Sequence, residues 1–200
     1  MRIDRIVFDF DGTLADTFEQ SISLIKEYRP DFDEKDVEIY RELGARGAKK
    51  ELKISLKEIF RIMRLVKKKH KDIIEKAEVF EGIKEIIEKL RKNEIEVGIL
   101  SSNSKENIKR WLTKKAVNVD WVRSESTIFG KDKAIVKIKS ENMIYVGDEV
   151  RDVEACHKIG VKIVSVTWGY NSKKALKKAG ADYVVESSFE LRKLLFSLTQ

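Results

Sequence analysis

The sequence is poor in residues that cross-link or stiffen a chain: one cysteine, one proline and two histidines in 200 residues. The single cysteine, Cys156, excludes an internal disulfide and fits a reducing compartment. Its place in a helical pattern gives it the part of a small core residue. His70 and His157 read as helix-surface residues, and two isolated histidines make no zinc cluster. No apolar run is long enough to span a bilayer, so no membrane partner is expected. The opening Met1-Arg2-Ile3-Asp4-Arg5-Ile6 enters a strand pattern at once, without the zones of a signal peptide. The expected location is cytoplasmic. Repeats, low-complexity segments and Ser/Gly linkers are absent as well.

Charge is plentiful. The chain has 41 basic and 34 acidic residues, a net charge of +7, and 38% charged residues in all. A balance that basic brings nucleic acid into consideration. The two signs are interleaved along helical stretches, however, so the excess is diffuse and no nucleic acid is expected as a partner. The densest run, Lys67-Lys68-Lys69-His70-Lys71, reads as a solvated helix face, with weak attraction for anionic substrates as its functional alternative. Trp111, Trp121 and Trp168 read as packing residues, not as a base-stacking platform. Many Lys and Glu beside few Cys and Pro resemble the composition of heat-adapted proteins. An apolar content of 42% and a length of 200 residues suffice for one α/β core plus a modest insertion.

Strand-like runs occur at Ile3–Phe8, Ile95–Leu100, Met143–Val146 and Val161–Val166, with a weaker one at Tyr183–Val185. Helical patterns separate them: Ile83, Ile86, Ile87 and Leu90 share one face, as do Ile108, Trp111 and Leu112. Ser104 with Asn107, and Asp132 ahead of Ala134–Ile138, mark helix starts. Strands alternating with helices predict a doubly wound, Rossmann-like parallel sheet covered on both faces. Between residues 16 and 79 the pattern is helical only, over Thr17–Tyr28, Glu34–Leu43 and Ser55–Lys76, with Gly44-Ala45-Arg46-Gly47 as an interruption. The expectation is an all-helical cap at 16–79 inserted into an α/β core made of 1–15 and 80–200.

The most informative stretch is Ile6-Val7-Phe8-Asp9-Phe10-Asp11-Gly12-Thr13. A strand ends there in two carboxylates spaced by two, which period-two geometry places near each other. Such a pair repels itself and loses hydration, a cost that a hard divalent cation with oxygen ligands, above all Mg2+, relieves. Gly12 permits a tight turn, and Thr13 can bond the turn or a phosphoryl oxygen. Later strands also end in polar groups. Ser101-Ser102-Asn103-Ser104 leads into a helix N-terminus, a suitable anion site or an ordinary cap. Gly147-Asp148-Glu149-Val150-Arg151-Asp152 is a second acidic turn, and Lys131 follows Gly130 between the two.

Taken together, these four segments resemble the Mg-dependent phosphatases of the haloacid dehalogenase-like hydrolase superfamily. Asp9-Phe10-Asp11-Gly12-Thr13, Ser101, Lys131, and Gly147-Asp148 with Asp152 match its four motifs in order. The helical insert resembles that family's cap. Tyr145 to Asp152, Thr167-Trp168-Gly169-Tyr170 and Gly180-Ala181-Asp182-Tyr183 look like its phosphoglycolate phosphatase-like branch. The resemblance implies Asp9 as the nucleophile that becomes an aspartyl-phosphate, and Asp11 as the proton donor and later the base. It implies Mg2+ held by Asp9, the Asp11 carbonyl and Asp148, with Asp152 orienting that shell or Lys131. Gly12, Thr13, Ser101, Ser102, Asn103 and Lys131 would hold the phosphoryl group. An Asp at position 11 separates the chain from the metal-free dehalogenases. The expected partner is a small phosphorylated metabolite, met by a monomer or homodimer. Arg46 could meet a substrate carboxylate or be a solvated loop residue; Lys49 and Lys50 are weaker candidates. A phosphomutase on the same core and a non-catalytic basic binding module remain as alternatives.

Overall fold

The computed structural model describes residues 3–125 and 130–199. In chain order the elements are β1 (Arg5–Phe8), α1 (Phe18–Tyr28), α2 (Glu34–Glu51), α3 (Leu56–Lys76), α4 (Ile83–Lys92), β2 (Glu96–Ser101), α5 (Lys105–Lys115), β3 (Trp121–Ser124), α6 (Lys131–Val136), β4 (Met143–Gly147), α7 (Val150–Lys158), β5 (Lys162–Val166), α8 (Lys173–Lys178), β6 (Tyr183–Val185) and α9 (Ser188–Leu198). The six strands form one parallel sheet in the order β3-β2-β1-β4-β5-β6. The α/β doubly wound prediction holds.

Strand alternation divides the core into two layers. Ile6 and Phe8 of β1, Ile144 and Val146 of β4, and Val164 and Val166 of β5 pack with apolar residues of α4, α5 and α9. Val7, Met143, Tyr145 and Ile163 face the other way, against Ala134, Ile135, Val153, Cys156 and Leu176 from α6, α7 and α8. A sheet buried on both faces needs strands that are apolar at every position, and β4 (Met-Ile-Tyr-Val-Gly) is buried throughout. Cys156 is fully buried, in keeping with its core reading.

The edge strand β3 lies outside the strand runs expected from sequence. It is only four residues long and half-buried throughout, so Trp-Val-Arg-Ser carries no apolar run. Trp121 anchors it through an indole Nε1 that donates to Glu96 (2.6 Å). A second difference concerns the helical segment. The helix from Glu34 does break at Gly44 (φ 65°, ψ 177°), as expected, but a second helical piece follows at once, so α2 runs across this kink to Glu51 and Gly44–Gly47 is not a loop. In an uninterrupted helix the Tyr40 and Arg41 carbonyls would bond amides four residues on. The kink frees them, and Asn171 Nδ2 donates to both (3.4 and 3.1 Å) while the Ser172 amide donates to Arg41 (2.9 Å). A third difference is that α6 begins at Lys131 behind Gly130, so Asp132 sits inside its first turn.

α1 and α2 share a small apolar cluster with Tyr170, in which Phe18, Ile22 and Phe32 are buried against Val37, Tyr40, Leu52 and Tyr170, while Ile74 of α3 joins the larger core. Capping boxes start α2 at Asp33 and α3 at Ser55. Within the basic run, Lys69 pairs with Glu27 (2.6 Å) and Lys71 approaches Glu75 (3.8 Å), while the side chains of Lys67, Lys68 and His70 lie outside the described residues. His157 is a helix-surface residue, 3.6 Å from Asp182. Among the described residues, no helix is long and apolar enough to cross a membrane.

Trp111 joins the helical segment to the sheet. It is 2% exposed, stands edge-on to Phe10 (centroids 4.9 Å apart) and donates from Nε1 to the Ala77 carbonyl at the end of α3 (2.9 Å). Trp111→Ala removes the ring and leaves that carbonyl unpaired. The expected loss is about 3–5 kcal/mol of unfolding free energy, read by urea denaturation.

Candidate active site

In the order 3-2-1-4-5-6 the chain runs outward in both directions from β1 and β4, so the crevice at their carboxyl ends is the topological switch point. The two strands are paired with Phe8 opposite Val146, and Asp9 extends the ladder by donating its amide to the Val146 carbonyl (2.8 Å). Asp9 and Asp148 therefore leave the sheet side by side. Asp152 joins them from the first turn of α7, where its carboxylate also accepts the Glu149 amide (3.3 Å). Carboxylate oxygens of Asp9, Asp148 and Asp152 lie within 4.8 Å of one another, and all three residues are buried.

Asp148 is held by Thr13 Oγ1, which donates to Oδ1 (2.7 Å), and by the Tyr170 amide, which donates to Oδ2 (2.7 Å). The space around it admits no additional side chain. Gly12 turns at φ 74°, and a Cβ there would stand 2.4 Å from Asp148 Oδ2; one at Gly169 would stand 2.2 Å from the same oxygen.

Lys131 is the cation of the cluster. Its Nζ lies 2.5 Å from Asp9 Oδ2 and 2.5 Å from Asp152 Oδ1. Burial opposes its charge, but Asp152 and Asp9 outweigh burial and hold the ammonium above the usual lysine range. Burial pushes Asp152 up to about 6 against the pull of Lys131, with Asp9 and Glu149 adding to the rise. Asp148 is raised well above the ordinary carboxylate range, first by burial and then by Glu149, Asp9 and Asp152. Three buried carboxylates around one ammonium leave negative charge in excess. Oxygen ligands at this spacing with surplus negative charge suit a hard divalent cation.

The other expected residues gather at the end of β2. Ser101 is buried and accepts the Asn103 amide on its Oγ (3.0 Å). Asn103 is buried too; its Nδ2 donates to Asp11 Oδ2 (3.3 Å), which ties the second carboxylate of the first turn to this loop. Ser102 is exposed. Ser101, Ser102, Lys131 and Arg151 line one small cavity of about 20 Å3, room for roughly one water. All ten expected site residues thus stand around the switch point, although Asp11 contributes no carboxylate oxygen to the cluster of three.

The arginine singled out in the helical segment is not part of this arrangement. Arg46 lies in the second half of α2, exposed, with its guanidinium 3.3 Å from Glu154. Lys49 is half-buried and Lys50 exposed on the same half-helix. Conversely, the structure brings in residues to which sequence reading gave no part. Asn171, 2% exposed, accepts the Val150 amide on Oδ1 (2.8 Å), donates its own amide to Asp148 O (3.3 Å) and reaches the freed carbonyls of α2. Tyr170 bonds Ser21 through its hydroxyl (2.7 Å) and stands edge-on to Phe18. An Asn-Ser pair before a helix looks like any cap, so nothing local marks Asn171. A glycine just past a strand end, as at Gly169, was a usable signal.

Comparison with known proteins agrees with this geometry. A family model for haloacid dehalogenase-like hydrolases matches residues 6–166. The phosphoglycolate phosphatase of Synechococcus elongatus is 30% identical over 202 residues, covering 94% of this chain and 95% of the relative. Pyrophosphatase PpaX of Bacillus mycoides is 24% identical, with 98% of each chain covered. Among solved structures, a "predicted phosphatase" from Clostridium acetobutylicum superposes with a TM-score of 0.80 at 22% identity, over 99% of this chain and 100% of its own. With the family model spanning most of the sheet and every strand end that carries a site residue, the chain belongs to the haloacid dehalogenase-like hydrolases.

Proposed function

We propose that this protein is a Mg-dependent phosphatase that hydrolyses a small phosphomonoester of the phosphoglycolate type through an aspartyl-phosphate at Asp9. The observation that carries the reading is Lys131 bridging Asp9 and Asp152 beside the buried Asp148, at the switch point of a parallel sheet. The substrate type rests on the relative from Synechococcus elongatus, which matches over nearly the whole of both chains. Residues 16–79 act as a helical cap on a core of 1–15 and 80–200; the cluster of Phe18, Ile22 and Phe32, distinct from the two layers on the sheet, supports that division.

In this mechanism an oxygen of Asp9 attacks phosphorus and the bond to the leaving oxygen breaks. Asp11 in its protonated form gives that oxygen its proton. Asp11 then takes a proton from water, which attacks the phosphoryl group and releases Asp9. Ser101, the amides near Ser102 and Asn103, Gly12, Thr13 and Lys131 compensate charge on the phosphoryl oxygens. Asp9, the Asp11 carbonyl and Asp148 would hold Mg2+, with Asp152 orienting its surroundings, and the ion would neutralise phosphoryl charge when bound. The surplus of buried carboxylate is what makes these residues fit a cation.

Phosphate release from phosphoglycolate and other small phosphomonoesters, with Mg2+ and with chelator, tests the reading. Release is expected only with Mg2+, and Asp9→Asn is expected to lower kcat by more than about a thousandfold. No release from any ester by the folded, metal-loaded chain would sink the phosphatase and shift weight to a mutase or a binding module.

The acidic cluster also sets a pH dependence for the metal-free chain. Asp148 and Asp152 bind protons more tightly folded than unfolded, so their contribution is favourable when they are protonated and is lost as pH rises through their folded values. Between pH 5.5 and 8 the melting midpoint of chelator-treated protein should therefore fall with rising pH. Saturating Mg2+ should raise the midpoint and flatten that slope, as a ligand of the folded state does. A chelated midpoint independent of pH across this range would contradict the cluster's electrostatics.

A further inference from the structure

Arg151 is the basic group of the cavity that the mechanism above leaves without a part. It sits in the first turn of α7, between Asp148 and Asp152 in the chain, and lines the cavity together with Ser101, Ser102 and Lys131. Lys131 is engaged by Asp9 and Asp152. Arg151 is engaged along one edge only. Its Nε donates to Glu149 Oε1 (2.8 Å) and its Nη2 bonds the same oxygen, while Nη1 has no hydrogen-bond partner among the described residues. The Glu149 side chain is 12% exposed and that of Arg151 36%, so the carboxylate is anchored and the guanidinium reaches solvent at the cavity. Glu125, the acid that also lines the cavity, lies 3.3 Å from both Lys137 and Arg123.

A guanidinium fixed along one edge presents its other edge as a planar pair of donors, which matches a carboxylate or phosphate. Pinning by Glu149 lowers the entropy lost when that edge is engaged. Resting on the phosphatase reading, we propose that Arg151 is a specificity-determining residue, which binds a second anionic group carried by the substrate a short linker away from the phosphoryl group held by Ser101 and Lys131. The substrate class is then a phosphomonoester with a nearby carboxylate or second phosphate, and not a neutral alkyl or sugar monoester. The linker is short because Ser101, Lys131 and Arg151 border one cavity that itself has room for roughly one water, so the two anions lie across its mouth.

The test compares phosphoglycolate with ethyl phosphate, which has a similar size and no second anion. The quantity read is the ratio of their kcat/KM values in the wild type, Arg151→Gln and Arg151→Lys, with Mg2+ present. In Arg151→Gln the preference for phosphoglycolate is expected to fall about 10- to 100-fold, mainly through KM, as for loss of a charge-assisted hydrogen bond. Arg151→Lys, which keeps the charge and loses the planar fork, should fall in between. A ratio within about threefold of wild type in folded Arg151→Gln overturns the proposal and leaves Arg151 as a support for Glu149. Should Arg151→Gln fail to fold, the same threefold criterion applies to Arg151→Lys.

If the wild type hydrolyses neither ester, the phosphatase reading fails by itself. The Arg151 proposal is then judged by calorimetric binding of phosphoglycolate to the Asp9→Asn chain with and without Arg151→Gln. Binding at least tenfold weaker in the double variant supports it. Equal affinity, or no binding to Asp9→Asn, overturns it.

Discussion

Like-charge crowding at the switch point is the constraint around which this molecule is arranged. Asp9, Asp148 and Asp152 are nearly or wholly removed from water, where an ionised carboxylate is costly unless paired and hydrogen-bonded. Lys131 offsets part of that cost, and donors from Thr13, Tyr170 and Glu149 offset more. Each device restricts the neighbouring sequence. Asp148 needs glycine at 12 and 169 because a Cβ at either position would enter its contact distance. Asp152 needs Gly147 for the same reason, since a Cβ there would lie 2.5 Å from its Oδ2. A fold optimised for stability alone would place fewer charges here.

Sheet register does the positioning. With Phe8 opposite Val146, the first residue beyond β1 is Asp9 and the last residue of β4 is Gly147, so both acidic turns start at one level of the sheet. A slip of one residue would exchange the faces of Ile6, Val7 and Phe8, which belong to two different core layers. The apolar packing of β1 and the placement of Asp9 are therefore one requirement. The geometry of the acidic cluster inherits the precision of the core without further structure.

That linkage explains what the sequence made legible. Asp9, Asp148 and Lys131 stand at ends of elements whose apolar periodicity is strong, so the ends can be located and the polar residues stand out. The strand β3 escaped because an edge strand buried only halfway does not need an apolar run. The break at Gly44 was legible, but not that a helix resumes directly beyond it, which puts Arg46 on a helix rather than in a loop. Arg151 and Asn171 escaped for another reason. What they do depends on which edge of a side chain remains open after its partners are placed, and those partners lie on segments distant in sequence.

Asn171 shows how such partners couple parts of the fold. One residue bonds the carbonyl of Asp148, the amide of Val150 and the carbonyls of Tyr40 and Arg41. The first two belong to the acidic turn and the last two to the kinked end of α2. Displacing α2 by a few ångströms would break the contacts of Nδ2 and the Ser172 amide together with those of Glu42 to Ser172 and Lys174, of Arg41 to the Thr167 carbonyl, of Arg46 to Glu154 and of Tyr40 to Tyr170. The bonds to Asp148 and Val150 would survive that displacement. α2 thus has one favoured seat beside the acidic turn, set by carbonyls next to the kink at Gly44 and by the packing of Tyr40 on Tyr170, whose amide holds Asp148. If residues 16–79 act as the proposed cap, the bonds of Asn171 to Asp148 and Val150 are the ones that must persist when it shifts, because electrostatic preorganisation is lost if the carboxylates move with it.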